Sequence, residues 1–402
     1  MEERTRAYLR GRFRDHYRRV ELSMPPLAER REWGYIPWSR GGTTMVRHQS
    51  LLEMGAVESF LERERPRHVY FSAGVYHDPG ADAMEAKGWR GSDLVFDLDA
   101  DHLPGVDPET TSYADMLAEC KGALLKLLSF LEEDFGFEDL TIAFSGGRGY
   151  HVHVRDDGVR SLDREARREI VDYVRGVNVD ADSVVDTEAV VGEAGRTSPA
   201  DKRTLDTSGG WSARVHRRVV ALVEELEAAD DADAKERLQS FEGIGEGRSE
   251  AIANAIDENA DAIRAGNVDV HGSFKGLVEA LIEETVTADS APIDEPVTTD
   301  THRLIRLPGS LHGGSGLAVT RIDREDLDAF DPLVDAVPET FADNEITVEV
   351  TDLTGMIPFD DDQQGIVEIG GDSFRVGPGT QLLPEPVAIF LMTRDRAEKE
   401  KE

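Results

Sequence analysis

The sequence predicts an α/β chain of the mixed α+β kind, a core interrupted by a helical insertion. Three observations carry this reading. Short apolar runs punctuated by Gly and Asp dominate residues 1–162, a mostly helical and acidic stretch fills 163–287, and strand-like runs return across 288–402.

Residues 4–20 (RTRAYLRGRFRDHYRRV) place Tyr8, Leu9, Phe13 and Tyr17 at helical spacing, so an arginine-rich helix opens the chain. Its plain role is that of a surface helix, and its functional alternative is docking of a partner. Buried strands are expected at 67–76 and 93–99, an amphipathic helix at 113–135, and a strand, tight glycine turn and strand across 140–154. Within the insertion, Glu224, Glu225, Glu227, Asp230, Asp231 and Asp233 read as a solvated face opposed locally only by Lys235. FEGIGEGRSEAIANAI (241–256) has the look of a helix-hairpin-helix turn, although a glycine turn between two acidic helices is the favoured explanation in such anionic surroundings. Strands are expected again at 302–307, 317–322 and in the last third, where they would complete the core; the tail RDRAEKEKE is expected to fray.

The chain has 402 residues with 81 Asp+Glu against 45 Lys+Arg, a formal charge of −36, and only 8 of those cations are Lys. Such a balance excludes nucleic-acid binding through overall positive charge, but not through a local basic site. Acidic excess with scarce Lys suits a cytoplasm rich in salt, where screening relieves self-repulsion. The single Cys120 excludes an intrachain disulfide and a Cys-rich zinc site. No run approaches a membrane span and the start lacks a signal-peptide core, so a soluble cytoplasmic protein with no membrane partner is expected.

The chemistry concentrates in three places. In DLVFDLD (93–99), strand alternation points Leu94, Phe96 and Leu98 one way and Asp97 and Asp99 the other. Two carboxylates on one strand face repel unless a cation joins them, and oxygen ligands suit Mg²⁺ or Mn²⁺. A strand end whose aspartates face water is the plain alternative. In SGGRGYHVHV (145–154), glycines 146, 147 and 149 let the backbone turn sharply around Ser145 and Arg148, with His151 and His153 on one face of the next strand. A hydroxyl, a guanidinium and an imidazole around a glycine turn suit phosphate, although a simple hairpin could carry the same residues. The third place is IDEPVTTDTHRLIRLPGSLHGGSGL (293–317), with Asp294, Asp300, Arg303, Arg306 and His312.

DLVFDLDAD, SGGRGYHVHV and DxxVTxDxxRLIRLPGSLHG in this order, preceded by REWGYIPW and MVRHQSL, resemble the small catalytic subunit of archaeal–eukaryotic DNA primases over roughly residues 1–320. The resemblance implies the primase fold with a helical subdomain. It also implies template-directed synthesis of short RNA or DNA primers on single-stranded DNA from nucleoside triphosphates, in a heterodimer with a large subunit. By it, Asp97, Asp99 and Asp294 hold two divalent ions; Asp294 is chosen over Asp300 because the family's third aspartate lies eighteen residues before the SLH histidine, here His312. Ser145, Arg148 and His151 match the triphosphate-contacting turn, Arg306 and His312 match further phosphate ligands, and Arg47 matches an arginine near the nucleotide and primer.

The chain departs from the family in two ways. The zinc knuckle that many members carry after the paired aspartates is reduced here to His102 and Cys120, with Asp107, Glu109 and Asp115 nearby, so no structural zinc is expected. A basic residue often found two positions after the SLH histidine is Gly314, so one phosphate contact is missing or comes from elsewhere. Arg90, ahead of the aspartate strand, is a further candidate for the nucleotide site. Two other enzymes compete: a repair polymerase of the same superfamily, against which RLIRLPGSLHG and the insertion argue, and a nucleotide-sugar glycosyltransferase, which shares Asp-x-Asp but has no need of the SGGRG turn.

Overall fold

The computed structural model describes residues 1–39, 44–190, 200–342, 344–353 and 364–401. They form two compact units, one of Met1–Leu125, Phe137–Val171 and Pro292–Glu402, the other of Lys126–Gly136 and Asp172–Ala291.

Two antiparallel sheets make the framework of the first unit. One runs Leu304–Arg306, His68–Tyr76, Arg31–Ile36, Val46–Gln49, with Trp89–Ser92 also paired to His68–Tyr76. The other runs Thr320–Ile322, Leu140–Phe144, Gly149–Val154, Leu94–Asp99. All described pairings are antiparallel, which places the fold with α+β rather than alternating α/β architectures. Leu94, Phe96 and Leu98 are buried on one face of their strand, while Val95 joins Ala73, Val297 and Ile305 in an apolar cluster on the other.

Beneath the start of that strand lies an ionic knot. Asp93 is 1% exposed; its Oδ1 accepts from Arg31 (2.9 Å) and its Oδ2 from Arg155 (3.0 Å) and lies 3.2 Å from His153 Nδ1. Arg167 reaches the same place, donating to the Ser92 and Asp93 carbonyls at 2.9 Å each. Burial opposes the charge of Asp93, but His153, Arg31 and Arg155 outweigh it and hold the carboxyl well below its usual range. Arg90 is exposed and takes no part in the site described below.

The opening helix, Glu3–Tyr17, buries Leu9, Phe13 and Tyr17. Several of its arginines are engaged within the chain: Arg6 with Glu3, Arg12 with the buried Glu385, and Arg14 with Glu62, which Arg18 just past the helix also reaches. The C-terminal part corrects two expectations. Glu345–Val350, Gly379–Pro384 and Ala397–Lys399 form their own three-stranded sheet instead of extending either framework sheet, and an apolar helix, Glu385–Thr393, was not anticipated. Nor does the tail fray: Lys399 N–H donates to Thr5 Oγ1 at 2.9 Å, and the N-terminal ammonium pairs with Asp395 and Glu398.

In the second unit four helices (Gly210–Ala228, Asp231–Gln239, Glu246–Arg264, Gly272–Asp289) accompany a hairpin of Val185–Val190 and Ala200–Leu205, which the helical reading missed. Phe130, from the 126–136 segment, meets Trp211 at 5.2 Å, and Asp134 accepts from Arg214 at 3.1 Å. The acidic run is opposed by more than Lys235, because Arg237 and Arg264 reach Glu225 and Glu227. Residues 241–245 turn between two of these helices with Gly243 at φ +78°, and Lys235 pairs with Glu246 across the turn.

Candidate active site

Sheet register assembles the site. Antiparallel pairing of Leu94–Asp99 with Gly149–Val154 sets Asp97 opposite His151 and Asp99 opposite Gly149. Such directly opposed residues share one sheet face, and His151 Nε2 lies 3.3 Å from Asp97 Oδ1. Asp294 arrives from the other end of the sequence: its backbone N–H donates to the Asp97 carbonyl at 3.1 Å. It precedes the short helix Glu295–Thr299, yet its carboxylate makes no capping bond there.

The three aspartates therefore line one cleft of about 430 Å³, together with Arg47, Ser145, His151 and Arg306. Burial opposes ionisation of Asp97, but His151, Arg303 and Arg306 prevail and hold its carboxyl below the ordinary value. Asp99 Oδ1 accepts from Asp101 N–H at 3.2 Å and stands 3.8 Å from Arg148 Nε, while Arg148 also grips Asp101. The Nδ1 of His151 and the Nε of Arg306 are buried without a partner. Arg47 is already engaged, its Nε 3.1 Å from Oε1 of the fully buried Glu32.

Close approach explains two glycines of the SGGRG turn. A Cβ at Gly149 would lie 1.7 Å from the Leu98 carbonyl oxygen, inside the strand pairing that carries Asp97 and Asp99. Gly146 has φ +74°, and a Cβ there would meet His312 Cβ at 2.7 Å. Ser145 Oγ accepts from Gly147 N–H at 3.3 Å, and Tyr113 Oη donates to the Gly147 carbonyl, tying the turn to the helix Tyr113–Ser129.

Two of the residues expected with the others stand apart. Arg148 and His312 line a neighbouring pocket of about 260 Å³. The His312 imidazole is T-stacked on His68 at 4.8 Å; burial above all, then Arg306, His68, Arg394 and Arg67, keeps it well below its usual pKa, so it is neutral at pH 7. Asp300, the rival third carboxylate, also lines the cleft, but its Oδ1 accepts from His302 N–H at 2.9 Å in a local turn.

Three carboxylates make an all-oxygen donor set, which fits a hard divalent ion. The fit is one of chemistry and placement; as the side chains stand, no three His, Cys, Asp or Glu groups among the described residues form a closed metal cluster. Of the residues named for zinc, His102 lines the cleft and Cys120 is buried in the helix Tyr113–Ser129, its thiol pushed up by burial. Asp107 and Asp115 serve local turns, accepting from Glu109 N–H and Ser112 Oγ.

The family model for the DNA primase small subunit matches residues 96–324, which take in Asp97 and Asp99 and the whole of the second and third motifs. The chain is 63% identical to the DNA primase small subunit PriS of Haloarcula marismortui over 100% of both chains. Identity is 58% to PriS of Natronomonas pharaonis over 99% of each chain, and 40% to PriS of Methanothrix thermoacetophila over 99% of this chain and 100% of that one. The chain belongs to the DNA primase small subunit family. Full-length identity of this order leaves neither the repair polymerase nor the glycosyltransferase favoured. Haloarcula and Halobacterium relatives also agree with a sequence adapted to salt. Among the described residues no helix is long and apolar enough to cross a membrane.

Sequence reasoning left out several residues of this primase small subunit's site. His302 lines the cleft from within the third motif, beside Arg303, which the sequence grouped with Arg306 and His312 but gave no role of its own. Arg394 lines the neighbouring pocket from the end of the unanticipated helix, and no motif announced it.

Proposed function

We propose that the cleft performs two-metal nucleotidyl transfer, with Asp97, Asp99 and Asp294 holding Mg²⁺ or Mn²⁺ and with the SGGRG turn, Arg306 and His312 holding the incoming triphosphate. The chain is a DNA-directed nucleotidyltransferase that makes primers, the catalytic subunit of a DNA primase. One observation carries the assignment of residues: the Asp294–Asp97 backbone bond joins two distant segments, so that Asp97, Asp99 and Asp294 line one cleft together with Arg303 and Arg306.

When bound, the divalent ions would neutralise charge developing on the reacting phosphate and align it with the attacking 3′-hydroxyl. The chain's own groups do the rest. His151 faces Asp97 across the strand pair and keeps that carboxylate charged and oriented. Arg303 and Arg306 supply positive charge from the edge of the other sheet, on the side where pyrophosphate would leave. Ser145 and the glycine backbone offer a short-reach lining for phosphate oxygens, and Arg47, already held by Glu32, is suited to a positioning contact with nucleotide or primer. Single-stranded DNA is the template, nucleoside triphosphates are the substrates, a large subunit is the partner, and the cytoplasm is the setting.

The test is primer synthesis on single-stranded DNA with labelled nucleotides, with and without the large subunit. Labelled products that require template and a divalent ion, and vanish in Asp97→Asn, are expected. Template-independent products, or an active Asp97→Asn, would overturn the reading.

A further inference from the structure

The pocket beside the cleft has a lining unusual for this chain. Among the described residues, Tyr113, Gly147, Arg148, His312, Gly314 and Arg394 contribute to it and no carboxylate does, in a protein with 81 Asp+Glu. The two cavities share the glycine turn as a wall: Ser145 faces the carboxylate cleft, and Gly147 and Arg148 face the pocket. An anion that begins at the aspartates and continues across the turn enters this pocket next.

Arg394 is the cation there with no acid attached. It ends the helix Glu385–Thr393, and its guanidinium carbon lies 3.5 Å from the Phe390 ring centroid and 4.7 Å from that of Tyr113. Its Nη1 reaches the Phe390 carbonyl at the long distance of 3.5 Å. Among the described residues no carboxylate pairs with it, whereas Arg148 is drawn to Asp99 and Asp101. A half-buried guanidinium without a counter-charge gains most when an anion completes it. The two rings, set at 65° to each other, pack against the guanidinium and confine it beside the pocket, where its fork of N–H donors suits the two-pronged recognition of phosphate oxygens. His312, neutral in the free protein, cannot supply that charge itself.

We propose that Arg394 is a phosphate-binding residue of the nucleotide site, taking the polyphosphate tail of the nucleoside triphosphate in the pocket it shares with Arg148 and His312. The assignment rests on the proposed nucleotidyl-transfer site and adds a residue outside the 96–324 segment that carries the family match. Tyr113 is its positioning partner, holding the turn through the Gly147 carbonyl while stacking on the guanidinium.

The test is calorimetric titration of the full chain with ATP, AMP and inorganic tripolyphosphate in the presence of Mg²⁺. Wild type should bind ATP more tightly than AMP, and tripolyphosphate should displace ATP. A lost charge-assisted contact predicts that Arg394→Gln weakens ATP and tripolyphosphate about tenfold or more, and leaves AMP within about twofold. Should Arg394→Gln fail to fold, Arg394→Met, whose stem keeps the packing on Phe390, gives the same readout. Wild-type ATP affinity in the variant overturns the role of Arg394, and so does an equal loss for ATP and AMP, which marks a structural role. Wild type that does not favour ATP over AMP overturns instead the nucleotide site on which the inference rests.

Discussion

Replacing Asp294 with Asn separates catalysis from folding more sharply than any other change at this site. Its side chain has no hydrogen-bonding or ionic partner among the described residues, and the bonds that anchor the segment belong to its backbone: N–H to the Asp97 carbonyl, and the carbonyl to the amides of Val297 and Thr298. Asparagine keeps all of them and removes a negative charge close to Asp97. Stability should therefore shift by no more than about 0.5 kcal/mol, roughly a degree or two in a melt. Activity should behave otherwise. A carboxylate that helps hold catalytic ions contributes several kcal/mol to the transition state, and about 4 kcal/mol corresponds to a roughly thousandfold loss of rate. Asp300→Asn is the matched control, since Asp300 lines the same cleft but its Oδ1 serves His302 N–H, and an amide oxygen accepts that bond equally well. Its loss should stay within about tenfold, the scale of one modest hydrogen bond. The assay is primer extension by purified variants at saturating Mn²⁺, alongside thermal melts. An active Asp294→Asn with a dead Asp300→Asn would refute the eighteen-residue spacing and reassign the third ligand.

Other outcomes follow from charge and burial. Burial depresses His153, to about 4, and likewise lowers His16, His68 and His312. Such groups take up protons more readily unfolded than folded, so stability is complete above about pH 6.5 and falls as pH drops toward 4, by a few kcal/mol in sum; a melting midpoint unchanged between pH 7 and 5 would contradict this. At −36, self-repulsion should unfold the isolated chain when salt falls to tens of millimolar, because the Debye length lengthens to about 30 Å at 0.01 M; a circular dichroism spectrum identical in molar and low salt would sink the idea. Metal analysis of the pure protein should find well under one tightly bound zinc per chain, and stoichiometric zinc surviving a chelator would point back to His102 and Cys120.

The parts of this fold that sequence made legible are those where local pattern and tertiary role coincide. Alternation in LVFDLD separated the buried Leu94, Phe96 and Leu98 from Asp97 and Asp99, which line the cleft, although Val95 on the aspartates' face is buried in a second apolar cluster. SGGRG announced a tight turn, since glycine is the residue that tolerates a backbone 1.7 Å from where a Cβ would be. Asp93 shows the limit. It is the first residue of DLVFDLD and drew no role from the sequence, yet it is the hub of a buried knot whose partners, Arg31, His153, Arg155 and Arg167, come from three other segments. Nothing in its neighbours along the chain records those contacts. Between Glu385 and Thr393 the run PVAIFLM is apolar and offers no polar face, so periodicity could not separate a buried helix from a strand.

Charge is where sequence totals and the site diverge most. A net charge of −36 opposes a polyanionic template and an anionic substrate at long range, but molar salt shortens that repulsion to about 3 Å. Recognition then depends on pairs at contact distance, and the chain arranges these by use. Several arginines away from the cleft are neutralised by acids, as Arg12 is by Glu385 and Arg31 by Asp93. Arg303, Arg306 and Arg394, which have no carboxylate partner among the described residues, line the cleft and the pocket beside it. An acidic protein adapted to salt can therefore bind phosphate without a basic surface, provided that a few guanidiniums are kept from its own carboxylates. Here the framework sheets and two aromatic rings keep them so.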